Sequence, residues 1–526
     1  MAPLPNLSRS PWFWAIIFAW YCATWRNHWK NEVVPMDYQR CAELHNRILD
    51  LGTRKQLTLG DGGGRHTNSN FASPWHLFKK PAPAPVLKHP NWFERWGKRA
   101  EAMRPWMSPD LAAFLERAGD PRDDGHHFFY YVGGLASPDY LFGAQAGWAQ
   151  DPADRFRYVT LYMAGYQFTH HPDGLIFDQK KSLAIMQMDI MDSFTTQNGR
   201  QKWYPLEVVL AQWLDMIDVG KIQAVPNGTR TRSEKIGPWT MVGYSERQLE
   251  ETLEVWEQLL SAIEARIPGF TPSDVNSTRT LFDDSEIDLE AAGVLPGFVS
   301  EFLTKARRPA FRHIAPGLRL RDAEPVAFQQ PFRHVPLAGF PYGRPEYPGS
   351  PKIQFPVLLF DSSEELTYDA PPSNKSPYLD RHATPPPPFG RPWSDVPSYQ
   401  AGLYFTETDQ GHWHTFEDGV KLVLPFGIGS RGYARTADGA LFGENTEQRH
   451  GAIEGRDRHD ALFQLGYQPF GADHEVRLVQ VLWVWVRLVE SGAWKVGPDG
   501  VLGGMQKWRD ADTWWYWKKY VVPMSW

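Results

Sequence analysis

"LEVVLAQWLDMIDVGKIQAVPNG" (206–228) and "LVQVLWVWVRLVESGAWKVGPDG" (478–500) align without a gap. Leu210 meets Leu482, Trp213 meets Trp485, Gly220 meets Gly492, Pro226 meets Pro498 and Gly228 meets Gly500. Each copy reads as an amphipathic helix and a glycine suited to the left-handed C-terminal cap. A short extended run and a Pro-Asn-Gly or Pro-Asp-Gly turn follow. Two readings fit: a duplicated helix–strand unit, or local convergence on a common pattern. The copies lie too far apart for a short-period solenoid.

Outward from these stretches, one helix is clear. In "YSERQLEETLEVWEQLLSAIEARI" Ser245 and Gln248 have the spacing of a capping box. Leu249, Leu253, Trp256, Leu260, Ile263 and Ile267 recur along one helical face. A second helix, "SEIDLEAAGVLPGFVSEFLTKARR", is broken at Pro296-Gly297. Strands are expected at 353–360, 401–408 and 420–426. The Pro-rich runs 331–351 and 370–397 exclude helix and central strand. The expected fold is α+β: a helix-rich part over 1–320, a Pro-rich extended connection over 321–397, and a hairpin plus C-terminal helical part over 398–526. A smaller antiparallel sheet would sit on the helix-rich body.

The chain has 526 residues, 42% hydrophobic and 22% charged, which is ordinary for a globular protein of two or three domains. Its 24 Trp point to large aromatic cores or aromatic-lined pockets. A net charge of −6 argues against sequence-independent nucleic-acid binding. With Cys22 and Cys41 alone, no disulfide framework is available, and a reducing, cytoplasmic setting is expected. "PWFWAIIFAWYCATW" (11–25) is shorter than the roughly 20 residues that span a bilayer. It reads as a buried helix starting at Ser10-Pro11. The alternative is a membrane-surface anchor presenting Trp12, Trp14, Phe18 and Trp20.

Several clusters are candidates for chemistry. In "GHWHTFEDG" (411–419), Asp418-Gly419 suits a two-residue hairpin turn that would set Thr415 opposite Leu422 and Trp413 opposite Leu424. His412 and His414 would then share the other strand face, at a spacing able to grip Zn, Fe, Cu or Mn. The run resembles the first motif of cupins, with Glu417 one or two residues early and Thr406 where a glycine is expected. In "TLYMAGYQFTHHPDG" (160–174), His170 is a further metal ligand candidate, while His171 and Asp173 are candidates for acid–base work beside Glu417. "DDGHHFFYYVGG" (123–134) adds His126 and His127. Asp283, Asp284, Glu286 and Asp288 read as a helix start or a cation site, and Asp189 and Asp192 as a metal seat or the polar edge of a buried helix. In "LPFGIGSRGYARTADGALFG" (424–443) the glycines follow a strand without P-loop or Rossmann spacing. There Arg431 and Arg435 are the candidates for binding an anionic cofactor group.

"VKLVLPFGIGSRGYAR" and "WKVGPDGVLGG" resemble an uncharacterised family of proteins encoded by filamentous fungi. That resemblance implies an enzyme of specialised metabolism acting on a small organic substrate in an aromatic-lined pocket. The alternatives are a non-catalytic binding or self-assembling protein, for which homo-oligomers are expected, and an enzyme like the aminoacyl-tRNA-using cyclodipeptide synthases.

Overall fold

The computed structural model describes residues 35–57, 89–121, 127–143, 154–165, 174–188, 203–226, 235–271, 279–282, 289, 292–320, 330–335, 353–367, 388–390, 392–409, 415–436, 441, 468–472 and 474–526. It is a mixed α+β structure, 35% helix and 25% strand, so the first part of the chain is less helix-rich than expected. The chain divides into two units. The first comprises Met1–Met241, to which Gln468–Ala472 and Ser525–Trp526 return; the second comprises Val242–Tyr467 and Asp473–Met524. Segment 11–25 lies outside the described residues.

In the first unit, helix α1 (Tyr38–Leu57) and helix α2 (Pro109–Leu115) precede a five-stranded antiparallel meander. Its strands are β1 (Val132–Leu135), β2 (Tyr158–Ala164), β3 (Gly174–Asp178), β4 (Leu183–Gln187) and β5 (Tyr204–Pro205). Helix α3 (Leu206–Asp218) follows and packs on α1. Gly220 then takes φ +81°, and the chain enters a small sheet of β6 (Ile222–Ala224), β7 (Lys235–Ile236) and β8 (Trp239–Met241). The core is aromatic. Trp213 of α3 stacks on Phe129 at 5.2 Å, and its indole N–H donates to the Phe470 carbonyl at 2.6 Å. The two returning segments therefore complete this core rather than trail from it: Trp526 donates its indole N–H to Asp215 at 2.7 Å.

The second unit repeats this order. Helix α4 (Glu246–Glu264) carries the expected Ser245–Gln248 capping box, and its buried face holds Leu249, Trp256, Leu260 and Ile263. Leu253 and Ile267 are only partly buried; Val255 and Leu259 take the core positions instead. Helix α5 (Phe298–Lys305) begins after Pro296-Gly297, as the break predicts. Strands β9 (His313–Ala315), β10 (Leu318–Leu320), β12 (Val357–Thr367), β13 (Ser398–Phe405) and β15 (Val420–Val423) form a second antiparallel meander. Strands β11 (Ile353–Gln354) and β14 (Thr408–Asp409) pair beside it. Helix α6 (Leu478–Glu490) follows, then Gly492 at φ +67° and the hairpin β16 (Val496–Gly497) and β17 (Gly500–Val501). Here β17 joins β9 in parallel, giving a seven-stranded curled half-barrel.

Helices α3 and α6 are both 13 residues long and sit at aligned positions. Each follows a long helix and a five-strand meander and ends at a left-handed glycine. Convergence explains a helix with its cap. The elements before each helix also come in the same order.

The half-barrel buries both faces. Phe360 stacks on Trp256 at 5.7 Å on the helix side, while Leu358, Tyr399 and Tyr404 join Phe332, Phe389 and Trp393 on the other. Leu358 and Phe360 are two apart, so simple alternation would place them together. A bulge between them in β12 turns them to opposite faces.

The hairpin expected at Asp418-Gly419 does not form. Strand β15 pairs instead with β13, Val420 opposite Phe405 and Val423 opposite Gly402. A type I′ turn needs positive φ at both central residues, and neither Asp418 nor Gly419 has it. Thr415 is outside any strand and donates its hydroxyl to the Asp409 carbonyl at 2.5 Å. Phe416 is buried and stacks on His474 at 3.7 Å.

One half-buried acid in the first unit has a pH signature. The Cys41 thiol of α1 donates to Glu207 of α3 at 3.7 Å. Burial, with Glu207 adding to it, pushes the thiol up, and burial likewise holds the Glu207 carboxyl above its ordinary 4.5. A carboxyl raised on folding favours the folded state fully below its ordinary value and loses that contribution as pH rises through the raised one. Glu207→Gln should therefore gain stability over the wild type as pH rises above 4.5. Urea midpoints measured at acidic and neutral pH check this; midpoints that shift in parallel contradict it.

Candidate functional site

After β15 the chain enters the glycine-rich run 424–436, which carries isolated bridges but forms no strand of its own. It is organised by one side chain about eighty residues later in sequence. The Asp512 carboxylate accepts four backbone N–H bonds: Oδ2 from Gly429 and Arg431, each at 2.9 Å, and Oδ1 from Tyr433 at 2.8 Å and Ala434 at 2.9 Å. Positive φ at Gly429 (+127°) and Gly432 (+78°) lets the loop curl around the acid. Such a concavity of N–H groups is an anion site; here the anion is the protein's own. Asp512 is buried, at the end of a 3-10 segment, Met505–Asp512, fixed by Trp508. The Trp508 indole N–H donates to the Pro316 carbonyl at 2.8 Å.

A second anchor follows eight residues on. Tyr520, at the end of the short helix α7 (Trp517–Tyr520), is buried and accepts from the Trp494 indole N–H at 2.9 Å. Between the anchors the chain turns outward, with the Tyr516 and Trp517 N–H groups bonded to the Thr513 carbonyl. The result is a knuckle of aromatic rings in solvent: Trp514 is 64% exposed, Trp515 80% and Tyr516 36%.

Cations ring this knuckle. Lys507 and Lys519 lie over the Tyr516 ring at 5.4 and 5.7 Å, and Arg435 and Lys518 over Trp517 at 5.2 and 5.5 Å. Arg509 lies over Phe426 at 3.9 Å, and Tyr433 meets Trp514 edge to face. Residues 427–436 and 505–520 together hold six basic side chains and two acids, on a chain whose net charge is −6. Of those acids, Asp512 is enclosed by the loop and Asp510 pairs with Lys507.

The sequence candidates fall in three places. Arg431 and Arg435 lie on the clasped loop, Arg431 exposed and Arg435 stacked on Trp517. The backbone N–H groups that a bound phosphate would use are taken by Asp512. Glu417 is a half-buried cap: its Oε2 accepts from the Phe298 N–H of α5 at 3.0 Å, and its Oε1 lies beside Gly243. His170, His171, Asp173, His412 and His414 lie outside the described residues, as do His126, Asp189, Asp192, Asp283, Asp284, Glu286 and Asp288. His127 is described and only partly buried, and burial holds its ring below the usual histidine range. Among the described residues no group of three or more His, Cys, Asp or Glu is placed to hold a metal ion.

The knuckle was overlooked in the sequence, although "TWWYWKKY" (513–520) carries its signal: consecutive aromatics that run directly into lysines. Among the described residues no helix is long and apolar enough to cross a membrane. Comparison with protein-family models, with curated proteins and with solved structures finds no match to this chain.

Proposed function

We propose that this protein works at a membrane surface, binding anionic lipid peripherally through the knuckle Trp514–Lys519. The observation that carries this reading is the exposure of Trp514 and Trp515 beside Lys518 and Lys519. Trp and Tyr favour the bilayer interface because an apolar ring carries a polar edge. Lysines beside them meet the negative headgroups, each worth about 1 kcal/mol near an anionic surface. An excess of cations on an otherwise acidic protein orients this face toward such a surface. A small-molecule enzyme with a divalent metal remains the reading for His170, His171, Asp173, His412 and His414. Its described member, Glu417, is engaged as a cap.

Co-sedimentation with phosphatidylserine-rich and with phosphatidylcholine vesicles tests the proposal. Wild type should bind the anionic vesicles, less so as salt rises. Lys518→Glu/Lys519→Glu should bind them at least about tenfold more weakly, since two attractions become repulsions. Equal binding of wild type and variant, or no vesicle binding by wild type, contradicts it. Self-association through the exposed rings would show instead as a dimer in light scattering that Trp515→Ala abolishes.

A further inference from the structure

We infer that Asp512 is the positioning residue of the docking surface: its carboxylate folds loop 427–436 onto the knuckle, so that Tyr433 and Arg435 meet the membrane together with Trp514 and Trp517. This rests on the membrane reading above.

The Gly429, Arg431, Tyr433 and Ala434 N–H groups of the loop converge on this one carboxylate, beside the Gly432 N–H to Gly429 carbonyl bond at 2.9 Å and a bridge from Arg435 to Leu441. The four N–H groups approach both oxygens, two to each, and therefore require a planar acceptor with negative charge on both ends. An amide in its place would turn two donors toward two donors. Asp512 sits two residues before Trp514, so the same residue that closes the loop also sets where the knuckle leaves the core. The contacts between loop and knuckle follow from that closure: Tyr433 edge-on to Trp514 at 6.1 Å, and the Arg435 guanidinium over Trp517 at 5.2 Å. A flexible loop would have to be ordered on the membrane at the cost of binding energy. A clasped loop is already ordered, and that preorganisation favours binding.

The same geometry supplies a test that a merely structural role would not pass. A nest of backbone N–H groups accepts a small carboxylate from solution. In Asp512→Ala the nest is vacated while the four donors remain, so acetate or formate can take the place of the lost side chain. Vesicle binding of wild type, Asp512→Ala and Asp512→Asn should be measured with and without acetate, against chloride at equal ionic strength. Asp512→Ala should bind phosphatidylserine vesicles about tenfold more weakly, a loss of one decade, and acetate should restore binding while chloride does not. Asp512→Asn, whose amide fills the nest, should be weak in either salt.

The outcomes separate the two readings. Wild type that fails to bind vesicles removes the membrane reading itself. Wild type that binds, with Asp512→Ala binding equally well, overturns the clasp and leaves the membrane reading standing. A loss that acetate does not reverse, in a variant that still unfolds cooperatively, also overturns it. If Asp512→Ala does not fold, Tyr433→Ala decides: it leaves the four N–H bonds in place, removes the ring that the clasp delivers, and should weaken vesicle binding severalfold. Unchanged binding by Tyr433→Ala counts against the inference.

Discussion

Removing either partner of the Asp418–Arg477 pair should destabilise the second unit by about 3–5 kcal/mol, the cost typical of leaving a buried charge uncompensated. The pair is enclosed: the side chains are 0% and 4% exposed, and Arg477 Nε donates to Asp418 Oδ2 at 2.7 Å. Three elements meet there. Gln248, the third-position partner in the α4 capping box, donates its amide to the same oxygen at 3.3 Å. Arg477 is the N-cap of α6, and the Leu478 N–H of that helix donates to the Asp418 carbonyl at 2.8 Å. The Val420 N–H donates to the Val476 carbonyl at 2.7 Å, so β15 and the start of α6 are tied by backbone as well. The pair therefore fixes the register between the sheet edge and two helices.

Arg477→Met and Asp418→Asn should each lower the urea midpoint sharply. The double variant should lose much less than the two losses added, because neither charge is then left alone. Additive losses would show that the two groups are held by separate partners. The fold account of this region would then be wrong.

The second large effect concerns the knuckle. Trp514→Ala/Trp515→Ala should weaken binding to anionic vesicles by roughly a hundredfold. The arithmetic is short. If roughly 60 Å² of each exposed ring enters the interface, at about 25 cal/mol/Å² it contributes about 1.5 kcal/mol. Two such rings give about 3 kcal/mol, and about 1.4 kcal/mol is a factor of ten. Folding should be untouched, because these rings are the exposed ones: Trp508 and Tyr520, which hold the knuckle, are buried and remain. Equal thermal midpoints with unequal vesicle affinity are the predicted pair of observations.

Much of the fold was legible where the signal is local. The Ser245–Gln248 box, the break before Phe298 and the strands around 353–360, 401–408 and 420–426 follow from spacing and capping chemistry. The alignment of 206–228 with 478–500 falls on two 13-residue helices that each follow a long helix and a five-strand meander. What was not legible depends on partners distant in sequence. Asp418-Gly419 looks like a hairpin turn until Arg477 is known to draw the aspartate inward. Glu417 looks like a free acid until Phe298, 119 residues away, is found donating to it. The glycine-rich run looks like a cradle for a foreign anion because the anion, Asp512, is 83 residues from Gly429. Side-chain bonds to backbone at such separations leave no periodicity to read. The knuckle was missed for another reason. A high Trp content points to aromatic cores or pockets, and most of the largest buried side chains are indeed Trp, but Trp514 and Trp515 are not among them.

The most direct test of the account is tryptophan quenching by phosphatidylserine vesicles containing lipid brominated near the headgroup end of its acyl chains. The bromines quench only rings that enter the interface. The account predicts quenching in the wild type and a large reduction of it in Trp514→Ala/Trp515→Ala, where Trp517 alone of the knuckle's indoles remains, even at lipid concentrations high enough to bind the variant. Wild type that binds without quenching would contradict it. So would quenching that persists undiminished in the variant, which would place the contact elsewhere, with Trp12, Trp14 and Trp20 the first residues to substitute.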